Sequence, residues 1–329
     1  MTTRDRLYIG GSWVTPSDPG LLEIRSPHDR SVLGHVAQAV PADVDAAVAA
    51  ARAAFDDGPW PHTSPASRAE VIRRVNALRE ARADEIAAAI SAENGSALWF
   101  TKLGQPFLTR QVNAYLAAAS ALRWEEVVAP SDPSAAFDTI VRREPIGVVA
   151  AVIPWNSPFS AATAKLTPAL LAGNTVVLKV SPETSLSMML LADLFHEAGL
   201  PPGVLSILPA SRETSEYLIS HPRVDKVAFT GSTRAGRRIA SIAGAQLKRV
   251  SLEWGGKSAA IILDDADLPA AVRGLRFGSL ANNGEACILQ TRILAPRSRY
   301  AEVVDALKEM VSSLTVGDPS DPDTFIGPR

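Results

Sequence analysis

The sequence predicts an α/β protein: a doubly wound parallel sheet, then the beginning of a second α/β unit. Two observations carry this. From Ile146 onward, short runs rich in Val and Ile alternate with helical segments, the pattern of a parallel sheet covered on both faces. The chain is also long and apolar enough to bury such a sheet, at 329 residues and 47 % hydrophobic side chains.

The elements follow in order. "LYIGGSWV" (7–14) and "GLLEIRSPHD" (20–29) read as short strands joined by turns. "DVDAAVAAARAAF" places Val44, Val48, Ala51 and Phe55 on one helical face. The next helix is predicted to open at Ser67 with a capping box completed by Glu70. Its buried stripe is Val71, Val75, Leu78, Ile86 and Ile90, and "ENG" at 93–95 stops it. "LWFTKLGQPF" offers Trp99, Phe100 and Phe107 either as the packing of a helix end or as channel lining. "AFDTIVRREP", after a Pro/Ser/Asp turn at 130–134, reads as one side of a hairpin arm, because its polar alternation does not suit a core strand. The alternation proper runs "IGVVAAVIP", "NTVVLKV", "VLSILP", "DKVAFTG" and "LKRVSLEW" as strands, with helices between, and is expected to form a complete buried sheet. It restarts with "KSAAIILDD", a helix over "LPAAVRGLRFGSLANNG", the strand "QTRILAP" and a helix over "SRYAEVVDALKEMVSSL".

Composition excludes several classes. A formal charge of −2, from 33 basic and 35 acidic residues, gives no footprint for nucleic acid or an anionic membrane. The N-terminus has no apolar h-region, and "IGVVAAVIPW" is broken by Pro154 and too short to span a bilayer. One cysteine permits no intrachain disulfide. These observations predict a soluble, cytoplasmic protein, with no metal site.

Chemistry is expected at the strand-to-helix turns, where such sheets bind nucleotides. Four turns stand out: "IPWNSP" (153–158), "LKVSPETS" (178–185), "FTGSTRAG" (229–236) and "LEWGGKS" (252–258). The loop "NNGEACILQTR" (282–292), with the lone Cys287, makes a fifth. Each has a plain reading. Cys287 alone is a small buried hydrophobe, Asn156 a turn-former, and Glu253 and Lys179 solvated charges. The Gly231…Gly236 spacing is explained by a tight turn and is not the GxGxxG fingerprint. A strand, Gly-Ser and a helix start nevertheless make an anion site.

Taken together, in this order and with 34 residues from Glu253 to Cys287, the motifs resemble the aldehyde dehydrogenase superfamily, and the resemblance extends back to "YIGGSWV" and "DVDAAVAAARAAFDDGPW". It implies oxidation of an aldehyde to a carboxylic acid with NAD(P)⁺, through a cysteine thiohemiacetal and thioester. Cys287 would be the nucleophile. Asn156 and the backbone N–H at the cysteine would form the oxyanion hole, each donor worth roughly 2.7–4 kcal/mol. Glu253 would activate water for thioester hydrolysis, which favours an acid product over transfer to coenzyme A. The cofactor would be held by Ile153, Pro154, Trp155, Asn156, Lys179, Ser181, Phe229, Thr230, Gly231, Ser232 and Gly236, with the pyrophosphate near Gly231 and Ser232. Where the family carries an acid three residues after Lys179, this chain has Pro182, with Glu183 displaced by one. NAD is favoured and NADP stays open.

The implied organisation is a dinucleotide-binding domain (1–126 and 146–253), a hairpin oligomerisation arm (127–145) and the N-terminal part of a catalytic domain (254–329). Family members are homodimers or homotetramers, and continue past "IGP" with a Glu-Ile-Phe-Gly-Pro segment, the rest of the catalytic domain and an oligomerisation strand. Against that pattern the chain reads as C-terminally truncated, leaving Phe137, Ile140 and Val141 of the arm uncovered. The alternative function is a truncated, non-catalytic nucleotide-binding homologue. A cofactor-free cysteine hydrolase lacks a histidine near Cys287 in sequence. Two further departures are Trp254, where the family has a smaller aliphatic residue and where an indole could crowd the nicotinamide, and Ala210, where it has glycine.

Overall fold

The computed structural model of the chain describes residues 2–129 and 138–328. The N-terminal segment forms β1 (Thr2–Arg4), β2 (Leu7–Ile9), β3 (Ser12–Val14), β4 (Leu21–Arg25) and β5 (Val32–Ala37). β2 and β3 make the expected hairpin, turning through Gly10 and Gly11 at φ +59° and +85°, a two-residue turn that needs positive φ. β5 pairs with β4 on one side and, in parallel, with β1 on the other; the sequence reading had neither β1 nor β5.

α1 (Pro41–Asp56) buries Val44, Val48 and Ala51, whereas Phe55 is half-buried under the Arg52 guanidinium, 5.0 Å from its ring centre. The next helix corrects the predicted cap. α2 (Pro65–Ala81) starts at Pro65, and Ser64 is the N-cap, its hydroxyl accepting from the Ser67 N–H at 3.1 Å. Proline at the first helical position costs no hydrogen bond and presets φ, so the helix begins before the Ser67–Glu70 pair. Glu70 instead pairs with Arg73. The stripe through Ile90 also belongs to two helices: the chain breaks at Arg82 (φ −111°, ψ 22°) before α3 (Ala83–Asn94), which Gly95 closes at φ +75°. α4 (Leu98–Ala121) is one 24-residue helix that accommodates Pro106. β6 (Glu125–Val128) and β7 (Thr139–Arg142) pair antiparallel as the predicted hairpin, with Ile140 and Val141 exposed. The predicted turn at 130–134 and Phe137 lie outside the described residues.

Then come β8 (Val148–Val152), α5 (Pro158–Leu171), β9 (Thr175–Val180), α6 (Ser185–Glu197), β10 (Leu205–Pro209), α7 (Arg212–Ser220), β11 (Lys226–Gly231), α8 (Thr233–Ala245) and β12 (Arg249–Trp254). The sheet order is β12-β11-β8-β9-β10-β2-β3, with the first five strands parallel and the N-terminal hairpin added antiparallel to β10. Successive side chains of a strand face opposite ways. Val149 and Ala151 of β8 therefore join a core with α2, α5 and α6, while Val148, Ala150 and Val152 join one with α1, α7 and α8. The sheet departs from the prediction in two ways: it is mixed, and β12, an edge strand, exposes Ser251, Glu253 and Trp254. β13 (Ala259–Ile261) and β14 (Arg292–Leu294) form a separate parallel pair. They pack with α9 (Leu268–Leu280) and α10 (Tyr300–Ser312) over Ile262, Leu268, Leu275 and Val303.

The chain leaves β8 toward β9 on one side and returns to β11 on the other. The C-terminal ends of β8 and β11 thus flank the reversal of strand order, where a crevice forms outside the sheet.

Candidate active site

Three distant segments converge at this crevice. Past β8, the Ile153 N–H bonds to the Lys179 carbonyl at 3.2 Å, and the chain turns through Pro154–Asn156 into α5. The Asn156 side-chain amide donates to the carbonyl of Glu285 at 2.7 Å, which ties the turn to the cysteine loop. A side-chain amide carries a second N–H, so this bond leaves one donor beyond the one engaged.

The cysteine loop leaves α9 through Asn282, Asn283 and Gly284, all left-handed at φ +51°, +57° and +76°. Asparagine and glycine tolerate that region best. Both asparagines are buried and their side chains act as clamps. Asn282 accepts from the Ser96 hydroxyl at 2.5 Å and donates to the Asn156 carbonyl at 3.0 Å. Asn283 donates to the Gly95 carbonyl and accepts from the Gly327 N–H, both at 2.8 Å. Asn94 reaches the Trp155 and Asn156 carbonyls at 3.3 and 3.4 Å. Cys287 follows as an exposed free thiol, against its plain reading as a buried hydrophobe.

The third segment is the end of β12. A Cβ built on Gly255 would sit 4.0 Å from the Cys287 Cβ, and Glu253 is exposed two residues earlier. Lys165 on α5 interacts electrostatically with Glu253. Burial pushes its amine down to about 8, and the Glu253 carboxylate opposes the shift. Lys179 is buried, not solvated, and burial pushes its amine down to about 8 against the pull of Glu183. The Ser181 hydroxyl donates to the Glu183 carboxylate.

The remaining predicted contacts fall in two groups. Ile153 and Phe229 are buried in the two cores, so the crevice sees little of their side chains. Trp155 and Ser232 are exposed, and Pro154, Thr230 and Gly231 are half-buried. Ser232 caps α8, its hydroxyl accepting from the Ala235 N–H at 3.3 Å. A side chain on Gly231 would come within 2.5 Å of the Phe229 ring, and a Cβ on Gly236 would fall on the Trp254 indole, 2.9 Å from Cε2. Ala210 is packed in the core beside Ala39. Trp99 stacks on Phe325 at 4.8 Å and donates to its carbonyl, so it serves packing, while Phe107 is exposed. Among the described residues there is no cluster of His, Cys, Asp or Glu fit for a metal ion, and no helix long and apolar enough to cross a membrane.

Sequence reasoning missed Lys165, Asn282, Asn283, Asn94 and Ser96. A lone lysine inside the apolar run "AATAKLTPALL" was one usable signal, and the doubled asparagine before a glycine was another.

The model of the aldehyde dehydrogenase family matches residues 13–329. The chain belongs to this family. It is 43 % identical over 98 % of its length to a geranial dehydrogenase of Castellaniella defragrans, covering 67 % of that protein. It is 37 % identical to a phenylacetaldehyde dehydrogenase of Pseudomonas fluorescens, covering 98 % of this chain and 65 % of that one. A Mycobacterium tuberculosis aldehyde dehydrogenase complexed with NAD⁺ superposes with a TM-score of 0.95 at 46 % identity, over 99 % of this chain and 67 % of the other. An aldehyde dehydrogenase mutant from Pseudomonas syringae, complexed with NAD⁺ and octanal, gives 0.92 at 39 %, over 98 % and 65 %. The chain thus spans about two thirds of the length of these relatives.

Proposed function

We propose that this chain carries the nucleophile, oxyanion donor and dinucleotide crevice of an NAD-dependent aldehyde dehydrogenase. The observation that carries the reading is the 2.7 Å bond from the Asn156 amide to Glu285, two residues before Cys287. It ties an amide donor to the loop that carries the exposed thiol, across 129 residues of chain.

The crevice fits the cofactor. α8 points an N-terminus, capped by Ser232, at the reversal of strand order, and helix N-termini bind phosphate. Lys179, buried at the end of β9, adds a donor on the other side of β8. NAD⁺, when bound, accepts the hydride. NAD is favoured over NADP because similar solved structures hold NAD⁺.

The protein's own part is then as follows. The exposed Cys287 thiol gives its proton to solvent, its sulfur attacks the aldehyde carbon, and the carbonyl electron pair moves to oxygen. The second N–H of Asn156 and the Cys287 backbone N–H stabilise that oxyanion, which is where preorganised donors act most. After the hydride departs, the thioester on Cys287 is attacked by water. Glu253 takes the water proton, the thiolate leaves, and a carboxylic acid results.

The wider organisation belongs to the same reading: residues 1–126 and 146–253 as the dinucleotide-binding domain, 127–145 as an oligomerisation arm with Ile140 and Val141 on its surface, and 254–329 as catalytic. A cytoplasmic location accords with the single free thiol.

The test is Cys287→Ser. An unactivated hydroxyl is a far weaker nucleophile, so incubation with an aldehyde and NAD⁺ should give no acyl adduct by mass spectrometry, while NAD⁺ affinity by calorimetry stays unchanged. A Cys287→Ser protein that still oxidised aldehyde would refute the assignment. A native chain that binds NAD⁺ but never acylates would favour a non-catalytic nucleotide-binding role.

A further inference from the structure

Trp254 ends β12 opposite Gly231, the last residue of β11. Its indole is wedged against α8. A Cβ at Gly236 would fall on Nε1 and lie 2.9 Å from Cε2 and 3.1 Å from Cδ1, so the five-membered ring rests on the helix backbone where only glycine leaves room. That contact fixes the ring, yet 45 % of Trp254 remains exposed. A large aromatic surface is therefore held against α8 and half open beside the C-terminal end of β11.

Its neighbours give it a direction. On one side is the N-terminus of α8 with Ser232, an anion site. On the other, one residue along the chain, Gly255 lies against Cys287. Trp254 thus lies between a helix N-terminus, which favours an anion, and the residue that packs beside the thiol. Resting on the dinucleotide reading above, we propose that Trp254 is the wall on which the pyridine ring of the cofactor stacks, and that it selects the oxidised form. The oxidised ring is a cation and the reduced ring is neutral. An indole face attracts a cation through its quadrupole, and a surface already held against α8 loses little freedom when a ring stacks on it.

The experiment is calorimetric titration of the full chain with NAD⁺, NADH and ADP-ribose, for the native protein, Trp254→Leu and Trp254→Phe. In Trp254→Leu the preference for NAD⁺ over NADH should fall by roughly three- to thirty-fold, the range expected of a cation–π contact from exposed to desolvated. Trp254→Phe should keep part of it. ADP-ribose, which lacks the pyridine ring, should bind all three proteins alike. If thermal melting shows Trp254→Leu to be misfolded, Trp254→Phe and Gly236→Ala carry the comparison. The added methyl of Gly236→Ala must displace the indole, so it should move the NAD⁺/NADH ratio the same way. An equal loss for NAD⁺ and NADH, or an unchanged ratio, would overturn the stacking while leaving the dinucleotide reading intact. Failure of the native chain to bind any of the three would overturn that reading and this one with it.

Discussion

Asn282→Ala should loosen the cysteine loop without touching the sheet, and its cost can be worked from three contributions. Asn282 is 2 % exposed, and its Oδ1 takes the hydroxyl of Ser96, itself 2 % exposed. Removing the acceptor strands a buried donor, at about 1–3 kcal/mol. The Asn156 carbonyl loses the Nδ2 bond but keeps the longer one from Asn94, so that loss is about 1 kcal/mol. Alanine must then hold φ near +51° without the short polar side chain that lets asparagine tolerate that region, for roughly 1 kcal/mol more. The sum is about 3–5 kcal/mol. Asn282→Gly loses the same hydrogen bonds but escapes the backbone strain, and should be about 1 kcal/mol less damaging. Urea unfolding measures the totals. Hydrogen exchange locates them, with the peptide over 282–289 losing protection while the β8–β9 amides keep theirs. Equal stability of the alanine and native proteins, or no difference between the alanine and glycine variants, would refute the clamp.

Two further substitutions probe the chemistry and the charge beside it. Glu253→Gln keeps the shape but cannot take a proton from water, so reduced cofactor should appear as a burst followed by slow turnover, with acyl-enzyme accumulating on Cys287; a burst without an acyl adduct by mass spectrometry would assign the base elsewhere. Lys165→Met should stabilise the chain near neutral pH. The lysine titrates at about 8 when folded against an ordinary 10.5, so between those values the unfolded chain binds the extra proton and native stability rises with pH. Below that window the buried ammonium costs up to about 3 kcal/mol, so the advantage of the methionine variant in urea melts should be largest at about pH 7 and shrink steadily toward about pH 10; a pH-independent difference would show that Lys165 is not buried as a charge.

Most of the sheet was legible because its strands are short, β-branched runs bounded by helices, and packing rewards that pattern on both faces. What the pattern missed has local causes. α4 was obscured by Gly104 and Pro106, which weaken the helical signal although the helix runs through both. β1 has almost no signal of its own; it is a strand because β5 offers an edge to pair with. The buried-strand reading failed at β12 because only one of its faces is covered: Val250 and Leu252 pack with α8, while Ser251 and Glu253 on the other face meet solvent.

The site divides along the same line. Asn156 and Glu253 lie at the ends of β8 and β12, so a correct sheet is enough to place them. Cys287 lies on no strand of that sheet. Its position relative to Asn156 is set by Asn282, Asn283, Asn94 and Ser96, whose hydrogen bonds run between loops and helix ends. Asparagine and serine in such a stretch signal a turn and nothing more, because their side chains bond as readily to their own backbone as across the fold. Only the structure shows that these side chains reach 186 and 188 residues across the chain. The sequence spacing that marks Cys287 as the proposed nucleophile and the polar clamps that hold its loop are thus separate properties of the chain, and the clamps are the part that substitution can remove while every recognisable motif stays in place.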